Sequence, residues 1–188
     1  MALADGPDGD AEVVARALAD SGEALEEIAK RYWPRFYRVA LGILSRPADA
    51  EDAAQDALIR LLERLSGFDP AKGAFASWAY RLAVNVAVDR LRERRRGGVT
   101  VALESVAPRS GGEDPARDVA EQETLELVRA AIAELPEQQR AVISLRDGEG
   151  RSTSEVASIL SSTTGNVRAQ LYHARKKVAA RLASKGKV

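Results

Sequence analysis

The chain has 188 residues, enough for one medium domain or two small ones. Leu, Ala, Val, Arg and Glu dominate and aromatic residues make up only 5%, a mixture that favours helices over sheet. With no cysteine and a single histidine, His173, the sequence excludes disulfides and any Cys- or His-rich metal site. Apolar runs are broken far short of the roughly 20 residues needed to cross a bilayer. The acidic start MALADGPDGDAE lacks the basic and apolar regions of a signal peptide. A reducing, cytoplasmic setting fits these features.

Net charge is zero, with 28 Lys and Arg against 28 Asp and Glu, but the charges are segregated. Lys72 to Arg96 carries seven bases against two acids, and Asn166 to Val188 carries seven against none. Between them, Gly97 to Leu127 carries seven acids against two bases. Two basic blocks flanking an acidic one suggest two nucleic-acid contacts with a third contact between them. The plainer reading of each basic run is a solvated helix face.

A first periodic block runs from about Ala11 to Arg96. Pro34 is placed to begin a helix in WPRFYRVALGILS, and Pro47 separates that helix from the next. In DAEDAAQDALIRLLERL, Leu58, Leu61, Leu62 and Leu65 recur as an amphipathic stripe, and Asp49, Glu51 and Asp52 suit the positive end of the helix dipole. GFDPAKG reads as a loop, after which a long helix is expected from about Ala74 to Arg96. GGVTVALESVAPRSGGEDP then has the glycines, prolines and aperiodicity of a linker. In the second block a stripe of Leu125, Val128, Ile132 and Leu135 ends at Pro136, and EQQRAVISLRD gives another helix. Ser152 with Glu155 has capping-box spacing, opening a short helix from about Thr153 to Leu160. A polar turn and a helix of about twenty residues complete a helix-turn-helix. The fold expected is all-α, two small helical domains joined by a flexible acidic linker.

On the last helix, Val167, Leu171, Ala174, Val178 and Leu182 share one face, which leaves Arg168, Gln170, His173, Lys176 and Lys177 to the other. Such side chains can reach base edges in the major groove near the helix start and phosphates further along. On the helix ending in RLAVNVAVDRLRERRR, Arg81, Asn85, Asp89, Arg92 and Arg96 form a polar stripe. An asparagine amid arginines can hydrogen-bond an unpaired base while the arginines hold its backbone. Taken alone, Asn85 reads more simply as a polar residue on a solvated face, and Phe75 and Trp78 as core.

In this order, DAEDAAQDALIRLLERL, FDPAKGAFASWAYRLAVNVAVDRLRERRR and LPEQQRAVISLRDGEGRSTSEVASILSSTTGNVRAQLYHARKKV resemble the extracytoplasmic-function (ECF) sigma factors of the sigma-70 family. The resemblance spans about Leu25 to Leu182. It implies an N-terminal segment over residues 1–22, partly disordered; a sigma region 2 over 23–96; a linker over 97–117 that threads through the polymerase; and a sigma region 4 over 118–188. It implies that Asp49, Glu51, Asp52, Gln55 and Asp56 dock on the β′ subunit of core RNA polymerase. Phe68, Lys72, Trp78, Arg81, Asn85, Arg92, Arg95 and Arg96 would capture and hold the melted minus-ten strand. Thr164, Asn166, Arg168, Gln170, His173, Lys176 and Lys177 would read the minus-thirty-five element as duplex while the domain sits on the β flap. Relatives are commonly held by an anti-sigma factor, so one is implied here. No catalytic residues, metal or cofactor are implied.

The sequence departs from the family pattern at the turn, where Ser161-Ser162 replaces a usual glycine and aliphatic residue, and at Ala169, Gln170 and His173. Other classes fit less well. No phosphate loop, nucleophile with a partnering histidine or metal cluster supports an enzyme. A free-standing helix-turn-helix regulator would explain the second block alone. A protein-binding module would leave the two basic blocks without a purpose.

Overall fold

The computed structural model describes residues 7–19, 21–97 and 115–184. The described residues form eight α-helices: α1 (Pro7–Leu18), α2 (Gly22–Leu44), α3 (Pro47–Glu63), α4 (Phe75–Arg96), α5 (Pro115–Ala133), α6 (Glu137–Ile143), α7 (Thr153–Ile159) and α8 (Thr164–Ala183). Two single 3-10 turns, Leu65–Gly67 and Pro70–Lys72, lie between α3 and α4, and one π-helical turn, Ser144–Gly148, extends α6. The all-α expectation and the helix-turn-helix hold. The acidic linker falls mainly on residues 98–114, outside the described residues, and α5 begins at Pro115, inside the segment expected to be linker.

Helices α2, α3 and α4 pack mutually into the first body. Ala50, Ala53, Ala54 and Ala57 on α3 are all 0–1% exposed, so small side chains let α3 lie close on its neighbours. Ion pairs fix the register of α3 on α4: Arg94 to Asp49 at 2.5 Å, and Arg90 to Asp56 at 2.5 Å and Asp52 at 3.5 Å.

Pro34 does not begin a helix but lies inside α2. A proline there removes one backbone hydrogen bond. The stripe of Ala24, Ile28, Tyr32, Phe36, Val39 and Ile43 runs buried on both sides of it, and that continuous burial outweighs the lost bond. Within the N-terminal segment, of which residues 1–6 and 20 lie outside the described residues, α1 packs on α2 and α4 with Val13, Val14 and Ala17 buried. Asp10 anchors it, accepting from the Tyr32 hydroxyl at 2.6 Å and from Arg31 at 2.8 Å. Burial, then the Asp10 hydrogen bond, pushes the Tyr32 hydroxyl well above its ordinary pKa, so it remains a donor.

Ser45 ends α2 in the left-handed conformation, φ 62°, with its hydroxyl buried and without a partner. Both the strain and the unpaired hydroxyl cost stability, so Ser45→Gly is expected to raise it by about 1–2 kcal/mol, read as a higher melting temperature. An unchanged or lower value would show that the hydroxyl finds a partner in solution.

In the second body α8 packs on α5, α6 and α7. The capping box is present as read: Ser152 Oγ accepts from Glu155 N and the Glu155 carboxylate accepts from Ser152 N. The two bodies are in contact, α2 with α5, α6 and the π turn, and α4 with α6 and α7, and the buried apolar residues of both form one cluster.

Candidate nucleic-acid and polymerase interfaces

The loop before α4 is built to turn sharply. Asp69 caps the Pro70–Lys72 turn by accepting from Ala71 N at 3.0 Å, and Gly73 adopts φ 144°, a conformation that favours glycine. Phe68, Phe75 and Trp78 meet there with ring centroids 5.1–5.6 Å apart. Phe75 is buried, as read, while Phe68 and Trp78 are half-buried at the edge of the core. Lys72 is exposed, 3.3 Å from Asp69.

Along α4 the polar stripe forms as the spacing predicts. Asn85 and Asp89 are exposed, as are Arg92, Arg95 and Arg96. Arg81 and Arg92 are engaged by the second body. Arg81 donates to the backbone carbonyls of Ser158 at 2.6 Å and Ile159 at 3.1 Å, and Arg92 makes a two-pronged pair with Glu137. The pairing holds the half-buried Glu137 carboxyl below its usual range.

Of the five residues assigned to polymerase docking, Asp49 and Asp56 are half-buried against the α4 arginines. Glu51, Asp52 and Gln55 are exposed, and with Ile59, itself 48% exposed, Glu51 and Gln55 recur every fourth residue as a surface stripe. Ile59 went unread because it sits inside a leucine-rich run. Its signal is a position off the buried Ala50–Ala57–Leu61 face.

In the helix-turn-helix, Ser161 occupies the left-handed conformation, φ 50°, where the family pattern has glycine. Thr163 caps α8 by accepting from Asn166 N at 3.2 Å, and the Asn166 amide donates to Ser162 Oγ at 2.9 Å. Val167, Leu171 and Ala174 are buried, and Thr164, Arg168, His173, Lys176 and Lys177 are exposed. Gln170 departs from the reading: it is half-buried and lines a groove with Val142, Leu160 and Val167, because it lies one turn from Val167 beside the packed face. Tyr172, 63% exposed and edge-on to His173 at 5.5 Å, takes the free face instead. Sequence reasoning passed over it, although an aromatic residue off the buried stripe was the signal.

A helix-turn-helix body joined to a four-helix body with an arginine-rich stripe defines a two-domain helical DNA-binding transcription factor. Two family profiles match: sigma-70 region 2 over residues 28–97 and sigma-70 region 4 over residues 125–178. The ECF RNA polymerase sigma factor SigM of Mycobacterium tuberculosis is 32% identical over 170 residues, covering 90% of this chain and 83% of that protein. The sigma-E factor of Escherichia coli is 32% identical over 155 residues, covering 77% and 81%. CnrH, solved with the cytosolic domain of CnrY, superposes with a TM-score of 0.70 at 23% identity, over 93% of this chain and 97% of that one. The sigma factor RpoE of Bartonella quintana, solved with the anti-sigma factor NepR, gives 0.68 at 21%, over 84% and 95%. The chain belongs to the ECF sigma factors, which direct RNA polymerase to promoters for transcription initiation.

Proposed function

We propose that the first body reads the minus-ten element as melted strand and the second reads the minus-thirty-five element as duplex, with α3 docking on core polymerase. The observation that carries this is the placing of exposed Asn85 on an arginine-flanked stripe of α4, the helix whose first turn sets Trp78 against the half-buried ring of Phe68. An asparagine can pair with a base edge while neighbouring rings stack and arginines meet phosphates. The domain boundaries at 23–96, 97–117 and 118–188 belong to this reading, as do an anti-sigma factor as a further partner, a cytoplasmic site of action and the absence of a catalytic activity. Among the described residues no helix is long and apolar enough to cross a membrane.

The test is transcription in vitro with core polymerase on a genomic library. The chain is expected to confine initiation to a defined set of start sites, and start sites matching those of core alone would defeat the reading.

The α3 face gives a second test. Glu51→Lys with Gln55→Lys should weaken binding to core at least several-fold without lowering the melting temperature, because both side chains are exposed. Asp49→Lys should instead lower the melting temperature, since it sets a positive charge against Arg94 and Arg46. Normal core affinity in the first variant would remove α3 from the interface.

A further inference from the structure

A buried carboxylate ties the N-terminal helix to the rings before α4. Asp10 of α1 is 8% exposed, and taking an ionised group out of water costs stability unless it is paired and hydrogen-bonded. Both of its oxygens are used, Oδ1 accepting from Arg31 at 2.8 Å and Oδ2 from the Tyr32 hydroxyl at 2.6 Å. Arg31 also donates to Glu27 at 2.8 Å, and Glu27 accepts from Arg16 at 2.5 Å. The network that leaves α1 at Asp10 thus returns to it at Arg16.

Anchoring α1 does not by itself call for a charge in the interior. Val13, Val14 and Ala17 already bury an apolar face, and the Arg16–Glu27 pair already joins the helix to α2. What Asp10 adds is a fixed point for Tyr32. The Tyr32 ring is fully buried and stands edge-on to Phe75, at 90° with centroids 5.4 Å apart. Phe75 in turn stands edge-on to Phe68, at 83° and 5.1 Å, and Phe68 meets Trp78 at 5.5 Å. Edge-to-face packing depends on the angle between rings as well as on their distance. A hydroxyl held at the far end of Tyr32 therefore sets the tilt of that ring, and with it the seats of Phe75 and Phe68.

The same helix also reaches the loop directly. It touches the Leu65–Gly67 turn and α4, and Val14 and Leu18 line one cavity of about 620 Å³ together with Phe68, Pro70 and Gly73.

Resting on the reading of the Phe68 loop and α4 as the place where an unpaired base is captured, we infer that Asp10 is a positioning residue for that capture. Through the Tyr32 hydroxyl it fixes the Phe75–Phe68 pair, and so the selectivity with which one base is accepted over another. The N-terminal helix is then part of the promoter-reading apparatus, although it makes no contact with DNA.

The test uses the full chain with core polymerase on promoters built around one mapped start site and randomised only through the minus-ten element. At its most selective position wild type is expected to favour one base by roughly ten- to a hundredfold, the range of one base contact. Tyr32→Phe, which removes only the hydroxyl, and Asp10→Ala should each cut that preference by about threefold to tenfold. Because Asp10 acts through the hydroxyl, the double variant should lose no more than either single one. The chain has two tryptophans, so the same variants made on Trp33→Phe leave Trp78 as the reporter of the ring cluster. Its emission should move to the red, and acrylamide should quench it faster. Val13→Ala removes buried methyl groups from α1 outside the network, and should lower the melting temperature while leaving base preference and Trp78 unchanged. A base preference or a Trp78 signal that stays at the wild-type value in both Tyr32→Phe and Asp10→Ala would overturn the proposal. So would losses that add in the double variant, or a Val13→Ala variant that loses as much preference as Tyr32→Phe. If Trp78 responds as expected and wild type itself shows no base preference in the minus-ten element, the link from Asp10 to the rings stands and the reading of α4 fails.

Discussion

Arg140→Met is expected to lower the stability of the folded chain by about 3–5 kcal/mol. The Arg140 side chain is almost fully buried and donates to three backbone carbonyls: Leu135 at 3.0 Å, Ile43 at 2.8 Å, and Ala133. Ala133 ends α5, and Ile43 lies in the last turn of α2. The last carbonyls of a helix have no partner within it, and they carry the negative end of its dipole. One guanidinium therefore serves two helix C-termini, one in each body. Burial, with Arg95 and Arg94 as lesser causes, pulls its pKa down to about 10, so it stays charged at neutral pH. Because folded and unfolded states both hold the proton between pH 6 and 8, this contribution should not vary there. A methionine of similar length fills the space and leaves the carbonyls unpaired. Urea titration followed by circular dichroism measures the loss, and Arg140→Lys should recover part of it, since one ammonium cannot span all three acceptors. An unchanged midpoint for methionine would mean that water satisfies these carbonyls.

Asn85→Ala should reduce affinity for an unpaired minus-ten strand by roughly ten- to a hundredfold, the range of one lost base contact. Open-complex formation on duplex promoters should fall with it, while core binding and melting temperature stay unchanged. Stability is spared because Asn85 is exposed, and such substitutions usually move it by less than about 0.5 kcal/mol. Trp78→Ala would be a poor substitute test. Its ring lies 5.5 Å from Phe68 and 5.6 Å from Phe75, so removing it disturbs the core along with any base contact. A melting temperature that drops in Asn85→Ala, with normal activity per folded molecule, would return Asn85 to a structural role.

Where periodicity and local chemistry decide, the sequence was readable. α4, α7 and α8 begin and end close to where apolar spacing, the capping box and the loop residues place them. What escaped is set by partners distant in sequence. Asp49 reads as an exposed dipole-capping acid until Arg94, 45 residues on, is found beside it. The sequence gives no sign that Asp10 is buried, because Tyr32 and Arg31, which make it tolerable in the interior, lie 22 and 21 residues away. Pro34 misleads for a related reason, since the penalty of proline is local and the burial that outweighs it is not. On α8, Gln170 is half-buried where the stripe left it free, because a helix that packs on three others has a wider buried arc than its apolar stripe alone suggests.

The paired charges between α3 and α4 also act as a ruler. Asp49, Asp52 and Asp56 ascend one helix while Arg94 and Arg90 descend the other, and no position of α3 one turn away would keep all three pairs at once. One turn is about 5.4 Å, more than the roughly 3.4 Å between successive stacked bases. On the proposed reading of α3 and α4, whatever grips the outer side of α3 also sets which base stands opposite Asn85, and the spacing from enzyme footing to first melted base is written in three carboxylates and two guanidiniums.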